Sequence, residues 1–196
     1  IYDAAFKRAG IARVFEIGEM FDVAELIGRQ KIPKGPRLAI VTNAGGPGVM
    51  ASDALIEAGG ELAELTAQTI QQLNEILPPA WSHGNPVDVL GDARSKTVAK
   101  AVKAVLDDQQ TDAVLLIVTP QAMTNPPGIA KELVPVASET QKPVLAAFLG
   151  GPAMDQAVSL LNEAGVPTYG TPEQAVRAFM ILVNYARNLD NLYETP

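Results

Sequence analysis

The chain has no cysteine and a single histidine. Disulfides, thiolate nucleophiles and thiolate zinc sites are therefore excluded, and a transition-metal centre has almost no ligands to draw on. Absence of cysteine also suits a cytoplasmic protein. Aromatic residues make up only 5%, so stacking platforms for nucleobases are scarce. No uninterrupted apolar run approaches the ~20 residues that a membrane helix requires, and the opening "IYDAAFKRAG" lacks the basic start and apolar block of a secretory signal. Basic clusters are missing too. With a net charge of -7 and a pI of about 4.7, the long-range field repels phosphate backbones, so neither nucleic acid nor a membrane is an expected partner.

What the chain does contain is 47% hydrophobic residues over 196 positions, enough for one good core and part of a second. From Pro36 onward, short β-branched runs alternate with helical patterns, the order of parallel strands joined by crossover helices. Strands are expected at "RLAIVTN", "ELAEL", "NPVDVL", "DAVLLIVTP", "PVLAAFLGG" and "VPTY". The helices between them are expected from about Gly48 to Ala58, then in "AQTIQQLNEIL", "SKTVAKAVKAVLDD", "PPGIAKELVPVASET", "PAMDQAVSLLNEAG", and from "TPEQ" to about Asn188 with Thr171 as N-cap. Runs such as "AVLLIV" are apolar on both faces, which predicts an α/β, flavodoxin-like, doubly wound parallel sheet over residues 36–196. Residues 1–35 fall outside this alternation yet echo its end. "FKRAGIARVFEIGEMFDVAELI" parallels "LLNEAGVPTYGTPEQAVRAFMIL", each reading helix, Ala-Gly, short strand, helix. The expectation is that residues 1–35 are the tail of a preceding domain of the same kind plus a linker.

In such sheets ligands gather at the carboxyl ends of the strands, where helix N-termini present free N–H groups. Four corners qualify: "NAGGPGV", "LGDARS", "TPQAMTNPPGI" and "LGGPA". Glycine lets an anion approach the backbone, but any tight strand-to-helix turn also needs it. The first corner lacks the lysine and hydroxyl of a P-loop and misses the G-x-G-x-x-G spacing. His83, in "WSHGNPVDV", reads as a loop histidine beside Trp81 rather than a catalytic base. Asp88 and Asp92 stand near a strand end, where acid–base work and helix capping are both open readings. The methionines read as core filling.

Taken together, "RLAIVTNAGGPGVMASDALIEAGGELAEL", "LPPAWSHGNPVDVLGDA" and "GGPAMDQAVSLLNEAGVPTYGTPEQAVRAF" resemble the nucleoside-diphosphate-forming acyl-CoA synthetases, relatives of succinyl-CoA synthetase. The resemblance implies that residues 36–196 are the ligase domain and residues 1–35 the tail of the preceding one. It implies a parent that converts acyl-CoA, phosphate and ADP to carboxylate, CoA and ATP through a phosphohistidine held between helix N-termini. It further implies partner CoA-binding and ATP-grasp domains, which carry CoA, ADP/ATP and Mg2+, in an oligomeric assembly. Candidate anion-holding residues are Asn43, Gly45, Gly46 and Gly48 at one corner and Thr124, Asn125 and Gly128 at another, with Asn85 and Asp88 in support. The family's carrier histidine belongs to a Ser-His-Thr-Gly-like segment that would precede Ile1, so this stretch alone is expected to be inactive. The same multidomain body also resembles one fused to a lysine acetyltransferase, which implies the alternative of a non-catalytic, acyl-CoA-sensing region.

Overall fold

The computed structural model describes Phe6 and residues 9–14 and 16–193. A 13-residue helix α1 (Ile17–Arg29) precedes the alternating part. There follow β1 (Arg37–Thr42), α2 (Gly45–Glu57), β2 (Glu61–Leu62), α3 (Ala67–Ile76), β3 (Val87–Asp88), α4 (Ser95–Asp107), β4 (Ala113–Val118), α5 (Pro126–Glu139) and β5 (Val144–Phe148). A 3-10 turn (Gly151–Met154), α6 (Asp155–Glu163), β6 (Thr168–Tyr169) and α7 (Pro172–Tyr193) complete it.

All the strands pair in parallel in the order β2-β1-β4-β5-β6, with β3 on the same edge of β1 as β2. Parallel strands buried on both faces need apolar side chains in both directions, and β1, β4 and β5 supply them. Ala39, Val41, Val114, Leu116, Val118, Val144, Ala146 and Phe148 pack into one core with α3, α4, α5 and α6. Leu38, Ile40, Leu115, Ile117, Leu145 and Ala147 enter the other with α2 and α7. Each fully buried Leu, Ile or Val contributes roughly 1.5–3 kcal/mol, so these central strands dominate the stability.

Strands β2 and β3 are much shorter than the alternation predicts. They share one edge of β1: Arg37 and Leu38 face Glu61 and Leu62, while Val41 and Thr42 face Val87 and Asp88. The gap between them is filled by a side chain. Asn85 Oδ1 accepts from Ile40 N at 2.9 Å, and Asn85 Nδ2 donates to Leu38 O at 2.9 Å and Ala63 O at 3.0 Å. Buried main-chain groups that find no strand must find a side chain, and Asn85, before the cis bond to Pro86, offers both donor and acceptor.

Two other boundaries differ from expectation. Helix α2 starts at Gly45, three residues before the predicted Gly48, because its first turn has no N–H to satisfy internally and so accommodates Pro47. Residues 11–14 form no strand, since among the described residues no strand lies beside them to pair with. The helix expected before them lies largely outside the described residues. Thr171 does cap α7: Gln174 N donates to Thr171 Oγ1 and Thr171 N to Gln174 Oε1, both at 3.2 Å, a reciprocal capping box.

The amino-terminal edge of the sheet is held by charge. Buried Asp112 accepts from Arg37 Nε and Nη2 at 2.8 Å each and from Arg37 N at 3.1 Å. Burial would raise the Asp112 pKa, but these hydrogen bonds, the Arg37 charge and Lys142 outweigh it and hold the carboxyl below its ordinary value. Nearby, burial likewise opposes ionisation of Asp108, and hydrogen bonds from Thr69, Gln110 and Thr66 lower its pKa nonetheless.

Candidate functional site

The four predicted corners lie at the carboxyl edge, or rim, of the sheet; polar contacts join the first three, and Gly150 of the fourth packs against Pro120. Asn43, at the end of β1, is 5% exposed. Its Oδ1 accepts from Thr119 N at 2.8 Å, and its Nδ2 donates to Thr119 O at 2.9 Å and Thr124 Oγ1 at 3.1 Å. Thr124 Oγ1 in turn reaches Gly91 O at 3.5 Å. The amide of Asn43 is therefore fully occupied in tying β1 to the β4–α5 loop, and it positions the rim rather than facing a ligand. Gly91 lies under Gln121, whose side chain a Cβ would meet at 2.8 Å, and Gly150 lies against Pro120, at 2.9 Å from a Cβ.

The corners differ in what they offer an anion. Ala44, the N-cap residue of helix α2, provides no side-chain cap, and the first turn carries no acidic residue. The exposed N–H groups of Gly45 and Gly46 make no hydrogen bond among the described residues. A Cβ at Gly46 would meet nothing within 4 Å, so the approach is open. Gly48 serves packing instead. It is buried, and a Cβ there would stand 3.0 Å from Thr42 Cγ2 and 3.4 Å from Pro86 Cβ, so its bare backbone lets α2 lie close on β1. Helix α4 also begins without a side-chain cap, at Arg94.

Helix α5 is built the other way. Asn125 is its N-cap, Pro126 and Pro127 have no N–H, Gly128 N donates to Asn125 Oδ1 at 3.0 Å, and Ile129 N donates to Asn125 O at 2.9 Å. Every N–H of that first turn is missing or already bonded. The dipole of its aligned peptides remains. Gly128 also permits contact with α4, since a Cβ would meet Ser95 Oγ at 2.7 Å.

Asp88 stands beside α2: its Oδ2 would lie 3.3 Å from a Cβ on Gly45, and its Oδ1 accepts from Leu90 N at 2.9 Å. That bond holds Leu90 at a φ of 69°, so Asp88 caps a turn, not a helix. Asp92 is exposed. His83 stands as expected beside Trp81, with ring centroids 4.8 Å apart. Its ring nitrogens lie 3.1 Å from Asn74 Oδ1 and 2.9 Å from Pro79 O, which anchors it in the loop. Among the described residues no three His, Cys, Asp or Glu side chains gather as a cation site, and no helix is long and apolar enough to cross a membrane.

Residue types alone nominate donors at both of the best corners and do not separate them. A separating signal was nevertheless present in the sequence: two consecutive prolines after Asn125 remove two N–H groups, whereas Gly45 and Gly46 keep theirs.

Comparison with known proteins adds a family and a set of relatives. The family described as the Ligase-CoA domain matches residues 38–192. The chain is 39% identical over 194 residues to the acetate–CoA ligase [ADP-forming] II subunit alpha of Pyrococcus furiosus, covering 96% of this chain and 42% of that protein. It is 37% identical over 186 residues to the acetate–CoA ligase [ADP-forming] I of Archaeoglobus fulgidus, covering 95% of this chain and 26% of that protein. Its fold superposes with a TM-score of 0.90, at 34% identity, on the dinucleotide-forming acetyl-coenzyme A synthetase 1 of Ca. Korarchaeum cryptofilum solved in complex with phosphate and ADP. That match covers 97% of this chain and 42% of the solved one. The chain thus spans less than half the length of each of these proteins.

Proposed function

Since the chain belongs to the Ligase-CoA domain family, we propose that it supplies one half of the phosphoryl cradle of an ADP-forming acyl-CoA ligase, in a cytoplasmic, oligomeric parent. In that reaction a phosphate oxygen attacks the thioester carbon and the C–S bond breaks, releasing CoA. A histidine nitrogen then takes the phosphoryl group from the acyl phosphate, releasing the carboxylate, and ADP takes it from the histidine to form ATP. CoA, nucleotide and Mg2+ belong to the CoA-binding and ATP-grasp domains in this reading. The present residues provide no nucleophile and no proton carrier; their part is to hold and orient the migrating dianion.

The observation that supports the proposal is the pair of N–H groups of Gly45 and Gly46 at the N-terminus of α2, unbonded among the described residues, with open space beside Gly46 and the Asp88 carboxylate beside Gly45. Backbone donors and a helix dipole stabilise a phosphoryl group without a fixed cation that would trap it. Asn43 fixes the loop opposite, and the dipole of α5 adds attraction without directed donors. Asp88 beside Gly45 provides an acceptor next to two donors, suited to an imidazole N–H beside its phosphoryl group.

The test uses the parent ligase with acetyl-CoA, labelled phosphate and ADP. Acid-labile label on the protein and label in ATP are expected, with both reduced at least about tenfold, one charge-assisted hydrogen bond's worth, in Gly46→Leu. Full transfer in a folded Gly46→Leu protein rejects the α2 assignment. No label at all, with acyl-CoA still binding, replaces the ligase reading with that of a sensing region.

A further inference from the structure

Gln121, in the β4–α5 loop, has a fixed backbone and a loosely held head group. Its carbonyl accepts from Thr124 N at 3.0 Å, closing a turn. The residues on either side are tied to Asn43: Thr119 N donates to Asn43 Oδ1 at 2.8 Å, and Asn43 Nδ2 donates to Thr124 Oγ1 at 3.1 Å. The side chain itself is exposed. Its Nε2 donates to Asn43 O and to Thr119 Oγ1 at 3.4 Å each, beyond the roughly 2.9–3.0 Å at which N–H···O bonds cluster. Its Oε1 accepts nothing among the described residues.

A glycine makes room for this head group. A Cβ at Gly91 would stand 2.8 Å from both Cδ and Oε1 of Gln121, whereas the φ of Gly91 lies outside the left-handed region that calls for glycine. The bare Cα of Gly91 therefore serves space rather than backbone conformation, and Gln121 fills that space. Three of the four corners meet in the contacts of this one side chain, through Asn43 O, Gly91 and Thr119 Oγ1. Asn43 is separated from Gly45 by Ala44 alone, two Cα steps of about 3.8 Å. A glutamine head group covers such a span by changing its χ angles.

We propose that Gln121 is a side-chain donor of the phosphoryl site. With no anion bound, its amide rests on Asn43 O and Thr119 Oγ1; when the dianion stands at Gly45 and Gly46, Nε2 turns and donates to one of its oxygens. A third donor that moves thus joins two that do not. The inference rests on the ligase reading given above and adds to it a contact from the β4–α5 loop. No covalent bond to Gln121 forms or breaks. A hydrogen bond to the charged anion is stronger than the two long neutral ones it replaces, yet a neutral amide sets no fixed positive charge beside a group that has to leave. Gly91 keeps the position open, since a Cβ there pushes the head group aside.

The parent ligase, given acetyl-CoA, labelled phosphate and ADP, tests the assignment. Gln121→Ala lowers the label in both protein and ATP about tenfold, as for one charge-assisted hydrogen bond, with thermal unfolding unchanged. Gln121→Glu keeps the shape, loses the donor, adds a like charge and falls lower still. Gly91→Ala reproduces the loss of Gln121→Ala, and the two together lose no more than either alone, because Gly91 acts through Gln121. Wild-type transfer in Gln121→Ala or Gln121→Glu overturns the proposal, as do losses that multiply in the double variant. A loss of transfer matched by a lower melting temperature overturns it too, for Gln121 is then a brace of the loop. Absence of label in the wild-type parent is a separate failure, which removes the ligase reading and this donor with it.

Discussion

Replacing Asn85 by alanine removes the splint between β2 and β3. Three main-chain partners each lose a bond at once: Ile40 N, Ala63 O and Leu38 O, the last of which keeps its bond from Ala63 N at 3.0 Å, on residues 0%, 2% and 0% exposed. At about 1 kcal/mol net per neutral hydrogen bond the loss is ~3 kcal/mol, more if the groups stay dry and less if water enters the space. For a urea m-value of about 3 kcal/mol/M, the unfolding midpoint falls by about 1 M. Asn85→Asp sharpens the test. The carboxylate still accepts from Ile40 N, but its other oxygen now faces two carbonyls, so at pH 7 it destabilises more than Asn85→Ala. Its folded-state pKa is raised above the unfolded value of about 3.9. The excess loss relative to wild type is therefore complete above the folded pKa, and shrinks as pH falls through it and the acid regains a donor. Urea titrations of the three proteins between neutral pH and pH 4 measure both effects. An Asn85→Ala cost under about 1 kcal/mol, or an Asp variant no worse than the Ala variant at pH 7, refutes the splint.

Gly46 and Gly48 separate by role. Gly46→Ala leaves stability unchanged or raises it by up to about 1 kcal/mol, because the position is open and helical, whereas Gly48→Leu forces α2 off β1 and lowers stability by about 1–3 kcal/mol; thermal denaturation of both variants checks the contrast. Asp112→Asn destabilises by about 1.5 kcal/mol at pH 7, because Arg37, which is half-exposed and keeps its bond to Gln110, loses charge-assisted hydrogen bonds to a buried carboxylate. Since the pKa values of Asp112 and Asp108 are lowered by folding, their contribution is present above the ordinary carboxylate pKa and is lost as pH falls below it. Acid unfolding followed by circular dichroism should accordingly show a shallower pH dependence in Asp112→Asn, and an unchanged profile would contradict the assignment.

The legible parts of the fold were those set by continuous burial. "AIVT", "AVLLIV" and "VLAAF" could be read as central strands because both faces had to be apolar, and the Thr171 box is a local signal. The short edge strands were overestimated because a two-residue pairing leaves no periodicity, and the role of Asn85 depends on a gap that exists only in three dimensions. At the rim, the corners were visible as glycine turns. The difference between free and occupied donors was readable only in part, from the prolines of α5. That Asn43 is turned inward, towards Thr119 and Thr124, follows from the adjacency of β1 and β4, which residue types alone do not reveal.

On the function proposed above, the contrast between α2 and α5 has a kinetic meaning. A donor pair such as Gly45 and Gly46 imposes direction: an oxyanion there has preferred orientations and resists rotation. The closed first turn of α5 can only pull, with a strength that varies smoothly with distance and hardly at all with the anion's orientation. A group that must swing between a donor and an acceptor molecule is well served by one wall that grips and another that merely steers, since the turning itself then meets few bonds to break.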